Sequence, residues 1–294
     1  MDNIKKTIVV IGATGSQGSG VVNTLVDEGS FNVRATTRNP EKYSGKALEA
    51  VYADLNDLQS LKDAFKDAYG VFVVTDFWAG ADEITQGKNA VEAAKAVGVQ
   101  HFVWSTLPDV ESISNGEFDV PHFTNKSKVD DVVKNAGFKY ATFVEAPFYF
   151  QNLIGRLAPM EKQDGTTGWT FPLDPTKKVI HWSDINDMGK VVTGAFLKPE
   201  KAGNGNYLPL ATELNSFNDV LDAYKRHGKE YSFTQVPGEV FSTFFEGAEE
   251  MNEMFGFWEK YTYMGPDSAS KIDLAKEIAT SKYVSFDEWL DQNN

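Results

Sequence analysis

The stretch that most constrains this chain is Thr7 to Gly20, TIVVIGATGSQGSG. An apolar run (Ile8, Val9, Val10, Ile11) breaks into glycines at positions 12, 15 and 18, and apolar residues then return at helical spacing as Val21, Val22, Leu25 and Val26. The pattern predicts a strand, a tight turn and a helix. Gly12, Gly15 and Gly18 suit that turn, because side chains there would keep the backbone away from a pyrophosphate and the helix away from its strand. The start of the helix then offers unpaired N–H groups and the positive end of its dipole to an anion. The stretch therefore points to a bound dinucleotide.

The residues that follow narrow the ligand and set the fold class. Phe31 to Thr37 reads as a second strand ending in Arg38-Asn39-Pro40. An acidic residue near this point holds the ribose hydroxyls of NAD, whereas a basic one suits a 2′-phosphate. Arg38, with Lys42 shortly after, favours NADP(H), although an isolated arginine would read as a solvated loop charge. Ala50 to Asp54, Gly70 to Thr75, His101 to Ser105 and Ala141 to Val144 are further short strands. Helices alternate with them: one through Leu61 and Phe65 capped at Asn56-Asp57, one over Thr85 to Val97, and one from about Phe123 to Asn135. Nearly all-apolar strands alternating with helices predict an α/β fold, a Rossmann-type doubly wound parallel sheet covered on both faces.

In such a sheet the ligand lies beyond the carboxyl ends of the strands, here Asp54, Thr75-Asp76, Ser105-Thr106 and Glu145-Ala146-Pro147. Pro108 to Pro121 reads as a loop. His122 and Lys126 are four residues apart and so share a helical face. A lysine there suits holding a ribose and polarising a hydroxyl or carbonyl; by default it reads as a surface lysine in a lysine-rich helix.

At 294 residues the chain fits one core with a smaller lobe, divided as a dinucleotide-binding domain over 1–150 and a substrate or partner lobe over 151–294, interleaved with the first. Gln151 to Lys178 reads as an irregular, substrate-side excursion. Order returns over Ile180 to Val191, with Asp184 or Asp187 as the cap of a helix reaching Phe196. Asn206 to Leu210 and Tyr231 to Val236 read as strands, Phe217 to Arg226 as a helix, and Ser285 to Leu290 as a short docked helix. Between Pro237 and Gly265, Phe241, Phe244, Phe245, Met251, Met254, Phe255 and Trp258 fall at three- and four-residue steps, with Glu246, Glu249, Glu250 and Glu253 largely between them. Two amphipathic helices are expected, their stripe being either core or a lid and partner surface.

Composition removes other classes. Acidic residues number 42 against 28 basic, a formal charge of −14, and no basic cluster offers a face to nucleic acid. The four histidines show no ligand spacing, so no metal site is expected. No run of about eighteen apolar residues is present to span a bilayer, so a soluble protein is expected. The absence of cysteine rules out disulfides and suits the cytoplasm.

With these residues in hand, the chain resembles the NmrA-like family of atypical short-chain dehydrogenases. The resemblance rests on GATGSQG at Gly12 to Gly18, TRNP at Thr37 to Pro40, YADL at Tyr52 to Leu55, FVVT at Phe72 to Thr75, FVWSTLP at Phe102 to Pro108, HFTNK at His122 to Lys126 and APFYFQN at Ala146 to Asn152. It implies an NADP(H) site with Gly12, Thr14, Gly15, Gln17 and Gly18, and Ser16 of the same turn, at the pyrophosphate. Arg38, with Lys42 nearby, would meet the 2′-phosphate, and Asp54 and Leu55 the adenine. Thr75 and Ser105 would line the ribose and nicotinamide, Lys126 the nicotinamide ribose, and Phe148, Tyr149 and Asn152 would close that end. The catalytic pair would be His122 and Lys126, but active short-chain dehydrogenases carry tyrosine where this chain has His122, a tyrosine whose proton reaches the substrate oxygen. The resemblance thus implies a redox sensor acting through a protein partner or, as its rival, an NADPH-dependent oxidoreductase of a quinone, enone or other small carbonyl compound. A monomer or dimer is expected, without direct nucleic-acid or membrane contact.

Overall fold

The computed structural model describes residues 5–162 and 164–293. The first half runs β1 (Thr7–Val10), α1 (Ser16–Glu28), β2 (Asn32–Thr37), β3 (Glu49–Tyr52), α2 (Leu58–Phe65), β4 (Gly70–Val73), α3 (Glu83–Ala96), β5 (His101–Thr106), α4 (Val110–Ser114), α5 (Pro121–Asn135) and β6 (Tyr140–Glu145). The second half continues with β7 (Phe148–Tyr149), β8 (Met160–Glu161), β9 (Thr167–Phe171), β10 (Ile180–Ser183), α6 (Asp187–Leu197), α7 (Pro199–Ala202) and β11 (Asn204–Pro209). It ends with β12 (Glu213–Asn215), α8 (Phe217–Arg226), β13 (Ser232–Gln235), α9 (Gly238–Phe241), α10 (Ala248–Tyr261), α11 (Ala269–Ile278) and α12 (Phe286–Asn293).

The main sheet has seven strands in the order β11-β6-β5-β4-β1-β2-β3, every neighbouring pair parallel. Because side chains alternate across a strand, β1 supplies both faces. Ile8 and Val10 join Val21, Leu25, Val103, Val144 and Val191 under α1 and α6. Val9 and Ile11 join Leu61, Phe65, Val73, Trp104 and Val129 under α2, α3 and α5. The chain moves outward through β2 and β3, then restarts on the other side of β1 at β4. That reversal opens a crevice above the β1/β4 ends, where doubly wound sheets hold their ligands.

The second half is stitched into the first. β11 pairs with β6, while β10 lies between β12 and β7, and β9 between β13 and β8, in two small sheets. Asp187, wholly buried at the start of α6, accepts the Val284 N–H and pairs with Lys190, tying the last segment to the core. Burial raises its carboxyl pKa, and the hydrogen bond from Lys190 opposes the rise.

Four local expectations need correction. The loop expected over Pro108 to Pro121 contains α4, started by Asp109, whose carboxylate accepts the Ser112 N–H at 3.1 Å; five residues are too few to show a helical period. The irregular excursion contains β8 and β9. Gly168 there reads as a breaker but is required by close strand approach, since a β-carbon would lie 1.8 Å from the Ser232 oxygen. Neither Asp184 nor Asp187 is the cap of α6: Asn186 is, while Asp184 accepts the Asn186 N–H and the Gln151 amide. The first of the two amphipathic helices shrinks to α9. Phe241, Met251, Met254, Phe255 and Trp258 are core, whereas Phe244 and Phe245 stand half exposed.

No helix among the described residues is long and apolar enough to cross a membrane.

Candidate functional site

The crevice is built from the glycine turn outward. Gly12 sits at φ +69°, a region that side chains resist, and a β-carbon there would lie 3.1 Å from Val74 Cγ1, just past the end of β4. The Gly15 N–H donates to the Gly12 carbonyl at 2.8 Å, closing the turn. A β-carbon on Gly18 would fall 2.1 Å from that same carbonyl oxygen, so the helix approaches the turn only because residue 18 has none. Farther along, Gly189 of α6 lies against Gly20, where its β-carbon would be 2.4 Å from the Gly20 oxygen, and this backbone contact fixes the axis of α1.

The mouth of the turn is open. Thr14, Gly15 and Ser16 are exposed, α1 has no side-chain cap, and its first turn carries no acidic residue. Its N–H groups therefore face outward with the positive dipole end, suited to an anion. Gln17 reaches sideways, its Oε1 accepting the Ser105 hydroxyl at 2.7 Å and joining the turn to β5.

On the β2 side, Arg34 and Arg38 differ sharply. Arg34 is bound to Glu49 and to the Ala64 and Lys66 carbonyls. Arg38 is exposed and, among the described residues, has no hydrogen bond or ion pair from its side chain; Lys42, four residues on, is likewise exposed and unpaired. Beyond β3, Asp54 accepts the Asn56 N–H at 2.8 Å, and the Leu55 carbonyl accepts the Asn89 amide at 2.9 Å. Because β3 pairs with β2, these residues stand on the same side of the crevice as Arg38.

On the β4 and β5 side, α5 brings Lys126 over the end of β4. Its Nζ donates to the Thr75 carbonyl at 2.8 Å and to Thr75 Oγ1 at 2.9 Å, and lies 2.7 Å from Glu83 Oε1. Thr75 Oγ1 in turn donates to the same Glu83 oxygen at 2.7 Å. All three groups are buried. Burial lowers the Lys126 pKa, and Glu83 opposes that shift. Glu83 was not legible as a site residue. Its approach depends on Gly87 one turn later, where a β-carbon would lie 2.6 Å from Val129 Cγ1, so glycine lets α3 press against α5.

His122 points to the same region but is engaged elsewhere. Its ring lies 5.1 Å from Trp78 and 5.9 Å from Phe77, both just after β4, and its Nδ1 is 2.6 Å from Glu250 Oε1 on α10. The His122 backbone N–H donates to that oxygen as well. Burial pushes the Glu250 carboxyl up, but the two hydrogen bonds from His122 win and hold it below the usual range. The partners are 128 positions apart, beyond the reach of any local pattern.

The residues expected to close the far end divide. Phe148 is buried, its ring packed against Trp182 and Trp258. Tyr149 is half-buried, but its hydroxyl is fully enclosed without a hydrogen-bond partner among the described residues. Asn152, in the turn Phe150–Leu153, is half-buried and its carbonyl accepts the Leu157 N–H at 2.9 Å. The hydrogen bonds thus join Gln17 to Ser105, and Thr75 to Lys126 and Glu83. They do not link Phe148, Tyr149 or Asn152 to either group.

Comparison with known proteins supplies the family. A profile described as the NmrA-like family matches residues 4–290. The chain belongs to the NmrA-like family. A curated relative, an NmrA-like family domain-containing oxidoreductase of Aspergillus hancockii, is 30% identical over 303 residues, covering 92% of this chain and 88% of its own. The crystal structure of NmrA, described as a negative transcriptional regulator in complex with NADP, superposes with a TM-score of 0.79 at 25% identity, covering 97% of this chain and 94% of that one. The same regulator has also been crystallised with NAD. The Escherichia coli NADPH-dependent quinone oxidoreductase QOR2 shares the fold, with a TM-score of 0.76 at 15% identity over 98% of this chain and 99% of its own. The family therefore includes a named regulator and named oxidoreductases on one NADP-binding Rossmann-type frame.

Proposed function

We propose that this NmrA-like chain binds NADP(H) across the β1/β4 crevice and reports the nicotinamide redox state through a protein partner. The glycine turn with the free N–H groups of α1 would hold the pyrophosphate, and the unpaired Arg38, with Lys42, would hold the 2′-phosphate. Asp54 and Leu55 would flank the adenine, with Thr75 and Ser105 along the nicotinamide ribose and Lys126 fixing Thr75 from behind. The bound cofactor would supply hydride chemistry. The observation that carries the regulatory reading is that the usual proton-handling pair is committed to structure. The lysine's three donors go to Thr75 and Glu83, and the residue in the tyrosine position, His122, is tied to Glu250.

Removing Arg38 tests the cofactor assignment. Losing a charge-assisted contact to a phosphate costs about 1.5–3 kcal/mol, so Arg38→Ala should weaken NADPH about 10- to 100-fold in a fluorescence titration while leaving NADH within about twofold. Equal losses for both cofactors would remove the basis for NADP(H) selectivity.

The reductase reading is favoured by one observation, the enclosed and unpartnered Tyr149 hydroxyl. A buried phenol lacking a partner is costly unless a ligand group meets it. Burial also raises its pKa well above that of a free tyrosine, so the hydroxyl is a neutral hydrogen-bond donor.

A further inference from the structure

We propose that Glu83 is the buried counter-ion that keeps Lys126 a cation at the end of β4, and that this pairing sets the upper pH limit for holding a reduced dinucleotide. The second part rests on the cofactor reading above; the first does not.

The geometry is a closed ring of contacts. Lys126 Nζ, Thr75 Oγ1 and Glu83 Oε1 lie within 2.7 to 2.9 Å of one another, and the remaining Nζ donor goes to the Thr75 carbonyl. The Glu83 side chain has no solvent exposure, and its second oxygen has no partner among the described residues. A carboxylate placed so expensively, on the first residue of α3, has one strong compensation: the ammonium beside it. The charged or titratable groups around that ammonium come from three elements. Glu83 faces it from α3, Asp76 acts on it from the segment after β4, and His122 sits one turn earlier on α5. Trp104 of β5 adds its ring, 5.9 Å from Nζ, and an indole N–H to the Lys126 carbonyl. Asp76 is exposed, so solvent screens it, and Glu83 supplies the counter-charge that matters.

Replacing Glu83 with glutamine keeps its size and an acceptor oxygen but removes the charge. Burial then acts on Lys126 unopposed, and the proton leaves at lower pH. A purely structural Glu83 would not move that titration.

The test is an NMR titration of the lysine Cε signals in the full chain without cofactor, followed by NADPH binding across the same pH range. In Glu83→Gln the Lys126 signal should titrate at least about one pH unit below its position in the unmodified protein. The pH above which NADPH affinity falls should move down by the same amount, with affinities agreeing within about twofold at the acid end. Glu83→Asp, which keeps the charge, should restore most of the shift. Thr75→Val, which removes the hydroxyl but not the carboxylate, should leave Lys126 protonated over the original range, and this variant decides the matter if the glutamine variant does not fold. Coincident Lys126 titrations in the unmodified and Glu83→Gln proteins would overturn the proposal, as would a loss of NADPH affinity by one factor at every pH. If Lys126 shifts but neither protein binds NADPH at any pH, the cofactor reading falls and the counter-ion assignment stands.

Discussion

Gly18→Ala should strongly weaken dinucleotide binding. The added β-carbon would sit 2.1 Å from the Gly12 oxygen and 2.5 Å from the Gly12 carbonyl carbon, both backbone atoms that no rotamer change can clear. Either the turn or the first turn of α1 must move, yet α1 is pinned from behind by the Gly20/Gly189 contact. Overpacking of this kind costs about 1–3 kcal/mol, and displaced N–H groups forfeit the anion contact as well, so a loss of NADPH affinity beyond about 100-fold is expected by titration calorimetry. Gly98→Ala is the matched control. Gly98 also has positive φ, at +80°, but a β-carbon there meets nothing within 4 Å. It should cost about 1 kcal/mol of stability and leave binding unchanged, which separates backbone strain from steric closure of the turn.

Stability should fall between pH 6.5 and 8, and two buried carboxyls should account for it. Asp130 accepts hydrogen bonds from Thr106 and Tyr207, yet burial outweighs them and raises its pKa to about 7. Glu145, at the end of β6, is raised to about 8, chiefly by burial, with Lys271 opposing and Asp130 adding to the rise. Their folded values lie above the unfolded ones, so their contribution is full at acid pH and is lost as pH rises through the folded values. Below pH 6.5 the trend is countered. His101 and His181 are depressed by burial to about 3 and about 4, so the unfolded chain takes up protons there that the folded chain refuses. Above pH 6.5 the unfolded histidines progressively release those protons and the carboxyls prevail, at up to about 1.4 kcal/mol per pH unit for each that remains protonated. Denaturant melts at pH 6.5 and 8 should show the fall. Asp130→Asn and Glu145→Gln, neutral at both values, should each reduce it; an unchanged slope in both variants would contradict the assignment.

How much of this was legible in the sequence depended on whether the deciding contact was local. The turn from Gly12 to Gly18 was readable because strand, glycines and helix are contiguous. Helix α8 was found with the expected bounds, since Ser216 and Asp219 form a reciprocal capping box ahead of a strongly one-sided apolar face. The strands of the seven-strand sheet were found within a residue or two of their ends, because nearly continuous apolar runs mark burial on both faces. Contacts across the fold were not readable. Glu250 resembled the other glutamates of its helix, and only the packing of α10 against the α5 region singles it out for His122. Glu83 lies two positions before the helix expected over Thr85 to Val97, and only the Gly87/Val129 approach carries it to Lys126. Gly168 is the opposite case: glycine ordinarily marks irregular backbone, and here its missing side chain serves strand packing.

NADPH consumption by the full chain across a panel of quinones, enones and other small carbonyl compounds, with cofactor occupancy established in the same samples, separates a sensor from a reductase. Saturable NADPH binding with no turnover above background is expected, with no change in that background for His122→Ala or Lys126→Ala. Turnover of any panel member that falls in Lys126→Ala, His122→Ala or Tyr149→Phe would contradict it and make the chain a reductase.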